Sequence, residues 1–178
     1  MAAELLAISS APRSPKMFWI GAETHPSRRW LCDLSIHYPD VLEAELMGWE
    51  GQEGKMELRS RARYATLQEH ADYKYLVDCA GVGYSGRLRW LLATGRPVFI
   101  VERPFVEHWH EMMIPWEHYV PVKEDLSDLI QAYQELEMRP WLYEKISVGA
   151  RAFVQEHLFL DRHLDRMLAQ VEAFLERR

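Results

Sequence analysis

From Lys16 onward, short apolar runs of strand length alternate with longer amphipathic runs of helical period. That alternation is the signature of repeated βα units, whose strands lie parallel in one sheet with helices on its faces. Residues 16–21 (KMFWIG) read as a strand closed by a glycine. Pro26 then opens a helix whose apolar positions are Trp30, Leu31 and Leu34. Residues 41–49 predict a second strand, and the polar stretch 51–63 predicts a loop. A short helix over 66–73 precedes the strand KYLVDCAG (74–81), the loop GVGYSGR (81–87) and a helix with Leu88, Leu91 and Leu92 on one face, stopped at Gly95. PVFIVE (97–102) is a near-continuous apolar run, as expected of a strand buried on both faces. Residues 105–113 predict a helical turn or two, and 118–122 another strand. Asp125 and Asp128 begin a helix striped by Leu126, Leu129, Ile130 and Tyr133. The last stretch predicts one helix carrying Leu142, Ile146, Phe153 and Val154. A second, carrying Leu164, Met167, Leu168, Val171 and Leu175, is N-capped by Asp161.

The fold class that follows is α/β, a Rossmann-like doubly wound parallel sheet with a C-terminal helical tail. Residues 1–15 read as a tail or a truncation junction, 16–139 as the domain, and 140–178 as helices that pack on it. Strands ending at Gly21, Ala80, Glu102 and Val122 then open on one crevice, and such sheets bind ligands at the carboxyl ends of their strands.

Charge decides which ligands are worth considering there. A formal net charge of −6 excludes the basic face of a nucleic-acid binder, so any phosphate site must be local. The two cysteines, Cys32 and Cys79, lack metal-type spacing and read as buried reduced thiols that leave the compartment open. No run of 18 apolar residues occurs and the first residues lack a basic segment, so neither a membrane span nor a signal peptide is expected.

Two loops carry local positive charge. In the first, Gly81, Val82, Gly83, Tyr84, Ser85, Gly86 and Arg87 stand where a strand hands over to a helix. Glycines allow close backbone approach there, Ser85 adds a hydroxyl, and Arg87 adds a planar fork suited to phosphate oxygens. The second loop runs over 21–29, again between a strand and a helix, with Gly21, Thr24, Arg28 and Arg29. The first also spells G-x-G-x-x-G, so a dinucleotide-binding oxidoreductase with Glu102 on the ribose is a rival reading. His108 and His110 diverge by about 200° on a helix, which suits shared metal ligation poorly, so no metal site is expected. Tyr84 and Trp90 read as packing residues beside the loop.

Three blocks together resemble glycosyltransferase family 90, which includes protein O-glucosyltransferases and capsule xylosyltransferases. They are WIGAETHPSR, YKYLVDCAGVGYSGRLRWLLATG (73–95) and PWEHYVPVKEDLSDL (115–129), and the likeness covers nearly all of residues 16–160. The resemblance implies one half of a GT-B architecture, the C-terminal half that holds a uridine-diphosphate sugar, UDP-glucose or UDP-xylose. It places Gly21, Thr24, Arg28, Gly81, Val82, Gly83, Ser85 and Arg87 around the diphosphate. It further implies inverting transfer to a hydroxyl of a protein or glycan acceptor, by a carboxylate base in a preceding N-terminal domain outside this chain. No cofactor beyond the donor is required, although a divalent cation could arrive with the diphosphate. Ala80 departs from the acid that the family often carries before the loop glycine. A donor-binding remnant without catalysis is a third reading. With a partner domain elsewhere, the crevice should be open on one side and rimmed by apolar or aromatic residues.

Overall fold

The computed structural model describes residues 11–50, 57–60 and 65–158. Elements follow in the order β1 (Ser14–Ala22), α1 (Pro26–His37), β2 (Leu42–Glu50), β3 (Glu57–Ser60), α2 (Leu67–His70), β4 (Tyr73–Asp78), α3 (Leu88–Ala93) and β5 (Val98–Val101). A 3-10 segment (His108–Met112), β6 (Val120–Val122), α4 (Leu129–Met138) and α5 (Pro140–Phe153) complete the fold, and α5 runs on into a π-helical turn (Val154–Leu158). The sheet order among these residues is β3-β2-β1-β4-β5-β6. All neighbouring pairs are parallel except β2 with β3. This is a Rossmann-like α/β fold in which the winding reverses between β1 and β4.

Side-chain alternation along the strands builds a core on each face. Phe18, Ile20, Leu76, Val98 and Ile100 pack with Leu88, Leu91 and Leu92 of α3 and with Trp109. On the other face Met17, Trp19, Tyr75, Val77, Phe99, Val101, Val120 and Val122 pack with Leu31 of α1 and Leu129 and Leu136 of α4. Helices α1 and α3 therefore lie on opposite faces, and the loops that precede them meet at the carboxyl ends of β1 and β4. Helix α5 serves both layers: Leu142 and Ile146 belong to the second core, Ala150 and Phe153 to the first. Its neighbours, Lys74 beside Tyr143, Arg96 bonded to Tyr143 and His118 beside Phe153, stand at the beginnings of strands, so the helix passes at the end of the sheet opposite the crevice.

Several local expectations change. The predicted loop 51–63 contains β3, which extends the sheet as an antiparallel edge strand; the rest of that stretch, the helix over 164–175 and the Asp161 cap lie outside the described residues. Asp128 stands at the N-cap position of α4, but neither its side chain nor that of Asp125 caps the helix. Asp125 accepts from the Ser127 N–H (3.0 Å) and Asp128 from the Lys123 N–H (2.9 Å), so both build the turn before the helix, where Leu126 takes a positive φ of 60°. The helix starts at Leu129 instead. Gly95, at φ 70°, follows α3 as expected. No helix among the described residues is long and apolar enough to cross a membrane.

Buried histidines make the fold pH-sensitive: burial lowers the pKa of His110, and His118 shows the arrangement most plainly. The His118 Nδ1 accepts the Ile114 N–H at 2.9 Å while the ring lies against Phe153. Burial lowers its pKa below the usual histidine value, with His157 and Lys145 acting the same way and Glu117 opposing. A lowered folded pKa means that the unfolded chain binds the proton first. Stability is therefore present above about pH 6.5 and falls as the pH drops through that value. Urea midpoints measured from pH 7.5 to 5.5 should decline, and His118→Gln should flatten part of the decline while His110 keeps the rest.

Candidate functional site: an arginine cluster at the switch point

At the carboxyl ends of β1 and β4 three guanidinium groups surround one carboxylate. Asp78, the last residue of β4, is 0% exposed. Its Oδ1 accepts from Ser85 Oγ (2.7 Å) and Arg87 Nε (3.3 Å), and its Oδ2 accepts from Arg103 Nη1 (2.7 Å). Arg103 also donates from Nη2 to the Asp78 carbonyl (2.7 Å) and from Nε to the Val101 carbonyl (2.9 Å), which ties β5 to β4. Arg28 reaches across from α1, donating to the carbonyls of Ala80 (2.6 Å), Ala22 (2.7 Å) and Cys79 (3.4 Å). Arg87 Nη1 donates to the Ile20 carbonyl at 2.5 Å. Arg28 and Arg87 both lie over the buried Trp19 ring, 5.6 and 5.5 Å from its centroid.

The electrostatic balance is uneven. Three cations share one buried carboxylate among the described residues, and burial followed by the like charge of Arg87 lowers the pKa of Arg28. A guanidinium carries five N–H groups. Arg28 uses three of them here and Arg87 two, and Arg87 Nη2 has no hydrogen-bond partner. Such an arrangement suits an oxyanion with several oxygens. Burial pushes the neighbouring Cys79 thiol up to about 12, so it stays neutral beside the cluster.

The structure brings Gly21, Thr24, Arg28 and Gly81 into one place. A Cβ on Gly81 would stand 3.3 Å from Arg28 Nη2 and 3.6 Å from Thr24 Oγ1, and one on Gly21 would stand 2.9 Å from the Trp19 ring. These glycines thus make room for Trp19 and Arg28. Ser85 and Arg87 join the group through Asp78, whereas Val82 and Gly83 form the outer bend of the loop, with Val82 86% exposed. Arg29, on the outer side, pairs with Glu23. Helix α3 is only six residues long, so positive charge at this end of the sheet comes chiefly from side chains. Tyr84 is exposed, against the packing role expected of it, and with Val82, Phe105 and Val106 it forms an apolar rim around the crevice.

Sequence reasoning missed Asp78, Arg103 and Trp19. Asp78 had left a signal, since a carboxylate inside the apolar strand YKYLVDCA must find partners if it faces inward. Beside Arg103 opens a cavity of about 890 Å³, with Glu102, Val106, His110, Trp116 and Lys123 in its wall. His110 is stacked on Trp109 at 4.2 Å and its Nδ1 lies against the Glu107 backbone, so it serves packing and a turn. Among the described residues no group of three His, Cys, Asp or Glu side chains could hold a metal ion.

Comparison with known proteins bears on the family and on the fold. The chain is 30% identical over 164 residues to Protein O-glucosyltransferase 1 of Rattus norvegicus, covering 89% of this chain and 42% of that protein. It is 31% identical over 148 residues to O-glucosyltransferase rumi of Drosophila pseudoobscura pseudoobscura, covering 79% of this chain and 36% of that one. The chain thus spans less than half the length of these relatives. The crystal structure of TarM superposes on 91% of this chain and 36% of that chain with a TM-score of 0.60 at 14% identity, which supports the fold. The model for Glycosyl transferase family 90 matches residues 7–174, and the chain belongs to that glycosyltransferase family.

Proposed function

We propose that this chain is the donor-binding half of an inverting glycosyltransferase that takes a nucleotide-diphosphate sugar, UDP-glucose or UDP-xylose, and passes the sugar to a hydroxyl of a protein or glycan acceptor. The observation that carries the reading is the cluster of Arg28, Arg87 and Arg103 around Asp78 at the switch point, a local excess of positive charge in a chain of net charge −6. A diphosphate leaving group develops negative charge as the glycosidic bond to its oxygen breaks, and preorganised guanidinium groups stabilise that charge. Gly21, Thr24, Arg28, Gly81, Val82, Gly83, Ser85 and Arg87 are the residues we assign to the diphosphate. The adjoining cavity falls in the size range of small-molecule sites and offers room for more of the donor.

Asp78 has both oxygens engaged and is not free to act as a base. We therefore assign deprotonation of the acceptor hydroxyl to a carboxylate outside these residues. The exposed apolar rim of Val82, Tyr84, Phe105 and Val106 suits the domain that would bring it. The oxidoreductase reading loses support at the third glycine of the fingerprint: a Cβ on Gly86 meets nothing within 4 Å, so this glycine does not provide the close helix–strand packing required of it.

Thermal melts of the chain with UDP, with NADH and with neither test the reading. A ligand that binds the native state alone stabilises it by about 2.7 kcal/mol at a hundred times its Kd. UDP should raise the melting temperature and NADH should not. A rise with NADH alone would return the oxidoreductase reading. Repeating the UDP melt with magnesium and with EDTA shows whether the diphosphate brings a divalent cation.

A further inference from the structure

We infer that Asp78 and Arg103 are positioning residues for the diphosphate grip, acting through Ser85 and Arg87. The inference rests on the diphosphate reading above and adds a division of labour within the cluster. Arg103 has a side chain only 2% exposed, and all three of its hydrogen bonds go to the protein: two to Asp78 and one to the Val101 carbonyl. It is a clamp between β5 and β4. Asp78 faces two ways. Its Oδ2 is fixed by that clamp, and its Oδ1 holds the two donors on the glycine loop, the Ser85 hydroxyl and the Arg87 Nε.

Without the carboxylate, Arg87 would stand near two other guanidinium groups, with the Ile20 carbonyl and the Trp19 face as its remaining partners. Like charges would then favour an Arg87 turned out of the site. The carboxylate holds the fork in place while leaving Arg87 Nη2 without a protein partner. Ala80, just before the loop glycine, offers no side chain for this task. Asp78, two residues earlier in β4, supplies the negative charge from inside the strand.

The test compares UDP with uridine on the 178-residue chain, because only UDP carries phosphates. Asp78→Asn keeps the size of the side chain but cannot accept from both arginines. It should lower UDP affinity about 10-fold, the coupling typical of residues in one network, and leave uridine affinity unchanged. Arg87→Ala should also weaken UDP, and Asp78→Asn added to it should bring little further loss, since the residue it positions is gone. Equal losses for UDP and uridine, or full additivity with Arg87→Ala, would overturn the inference by showing general structural damage. If Asp78→Asn does not fold by circular dichroism, Arg103→Lys decides the matter. That variant keeps the charge, loses the fork, and should weaken UDP several-fold in the wild-type background but not in Arg87→Ala. A wild-type chain that ignores UDP removes the diphosphate reading and this inference together. A wild type that binds UDP and loses it on Arg87→Ala, with Asp78→Asn and Arg103→Lys silent, removes the positioning role alone.

Discussion

Arg87→Ala lowers the affinity of the chain for UDP about 10- to 150-fold, the loss of one charge-assisted contact worth roughly 1.5–3 kcal/mol. Its effect on folding is small. The Ile20 carbonyl loses a donor, while Asp78 keeps Ser85 and Arg103, so the melting temperature should fall by only about 2–4 °C for a cost near 1 kcal/mol. Arg87→Lys recovers part of the affinity, since an ammonium cannot reproduce the planar fork. Arg28→Ala weakens UDP to a similar degree but costs more stability, because three strand-end carbonyls, those of Ala22, Cys79 and Ala80, lose their donor at once. With both arginines gone, two contacts of that size are lost and affinity should fall by about 100- to 20,000-fold. Arg89→Ala is the control: Arg89 pairs with Glu107 instead, and UDP affinity should stay at the wild-type value. Calorimetric titration of these variants measures every step, and a wild-type affinity in Arg87→Ala would remove the diphosphate site.

That experiment separates roles which the sequence alone had merged. Spacing put Arg28 and Arg87 in equivalent positions, each where a loop after a strand opens a helix, because a linear pattern reports which residues share a loop. It does not report which carbonyls stand opposite. In the fold Arg28 braces β1 against β4, and only the sheet register could reveal that. The βα alternation was legible because strands buried on both faces must be apolar throughout, as in residues 97–102, and because helix stripes such as Leu88, Leu91 and Leu92 repeat at a fixed period. β3 was illegible for the converse reason. An antiparallel edge strand can be short and polar, and ELRS resembles the loop around it. Arg103 escaped because it follows β5 in sequence and becomes meaningful only when β5 lies beside β4, where its fork reaches the Asp78 carboxylate and carbonyl. Asp78 could have been suspected from the cost of burying a charge, but its partners come from 7, 9 and 25 residues away, and no local rule names them.

Trp19→Ala should unfold much of the site along with the core that supports it. Trp19 is fully buried in the cluster with Leu31, Leu42, Tyr75 and Val77, and its ring is the surface on which both Arg28 and Arg87 rest. Replacing a buried tryptophan with alanine costs about 3–5 kcal/mol, which for a chain of this size lowers the melting temperature by roughly 6–20 °C. The loss has a second component. The indole occupies the space that Gly21 leaves open, so its removal frees both guanidinium groups from the face that sets their height above the sheet. Trp19→Phe keeps an aromatic face and most of the volume, and should retain most of the stability and most of the UDP affinity. Gly21→Ala tests the same packing from the other side, since a Cβ there would stand 2.9 Å from the ring and force it to move. Melting curves followed by UDP titration of the folded variants give the result. Were Trp19→Ala to melt with the wild type and bind UDP as well, the indole would be neither a core residue nor the support for the arginine cluster.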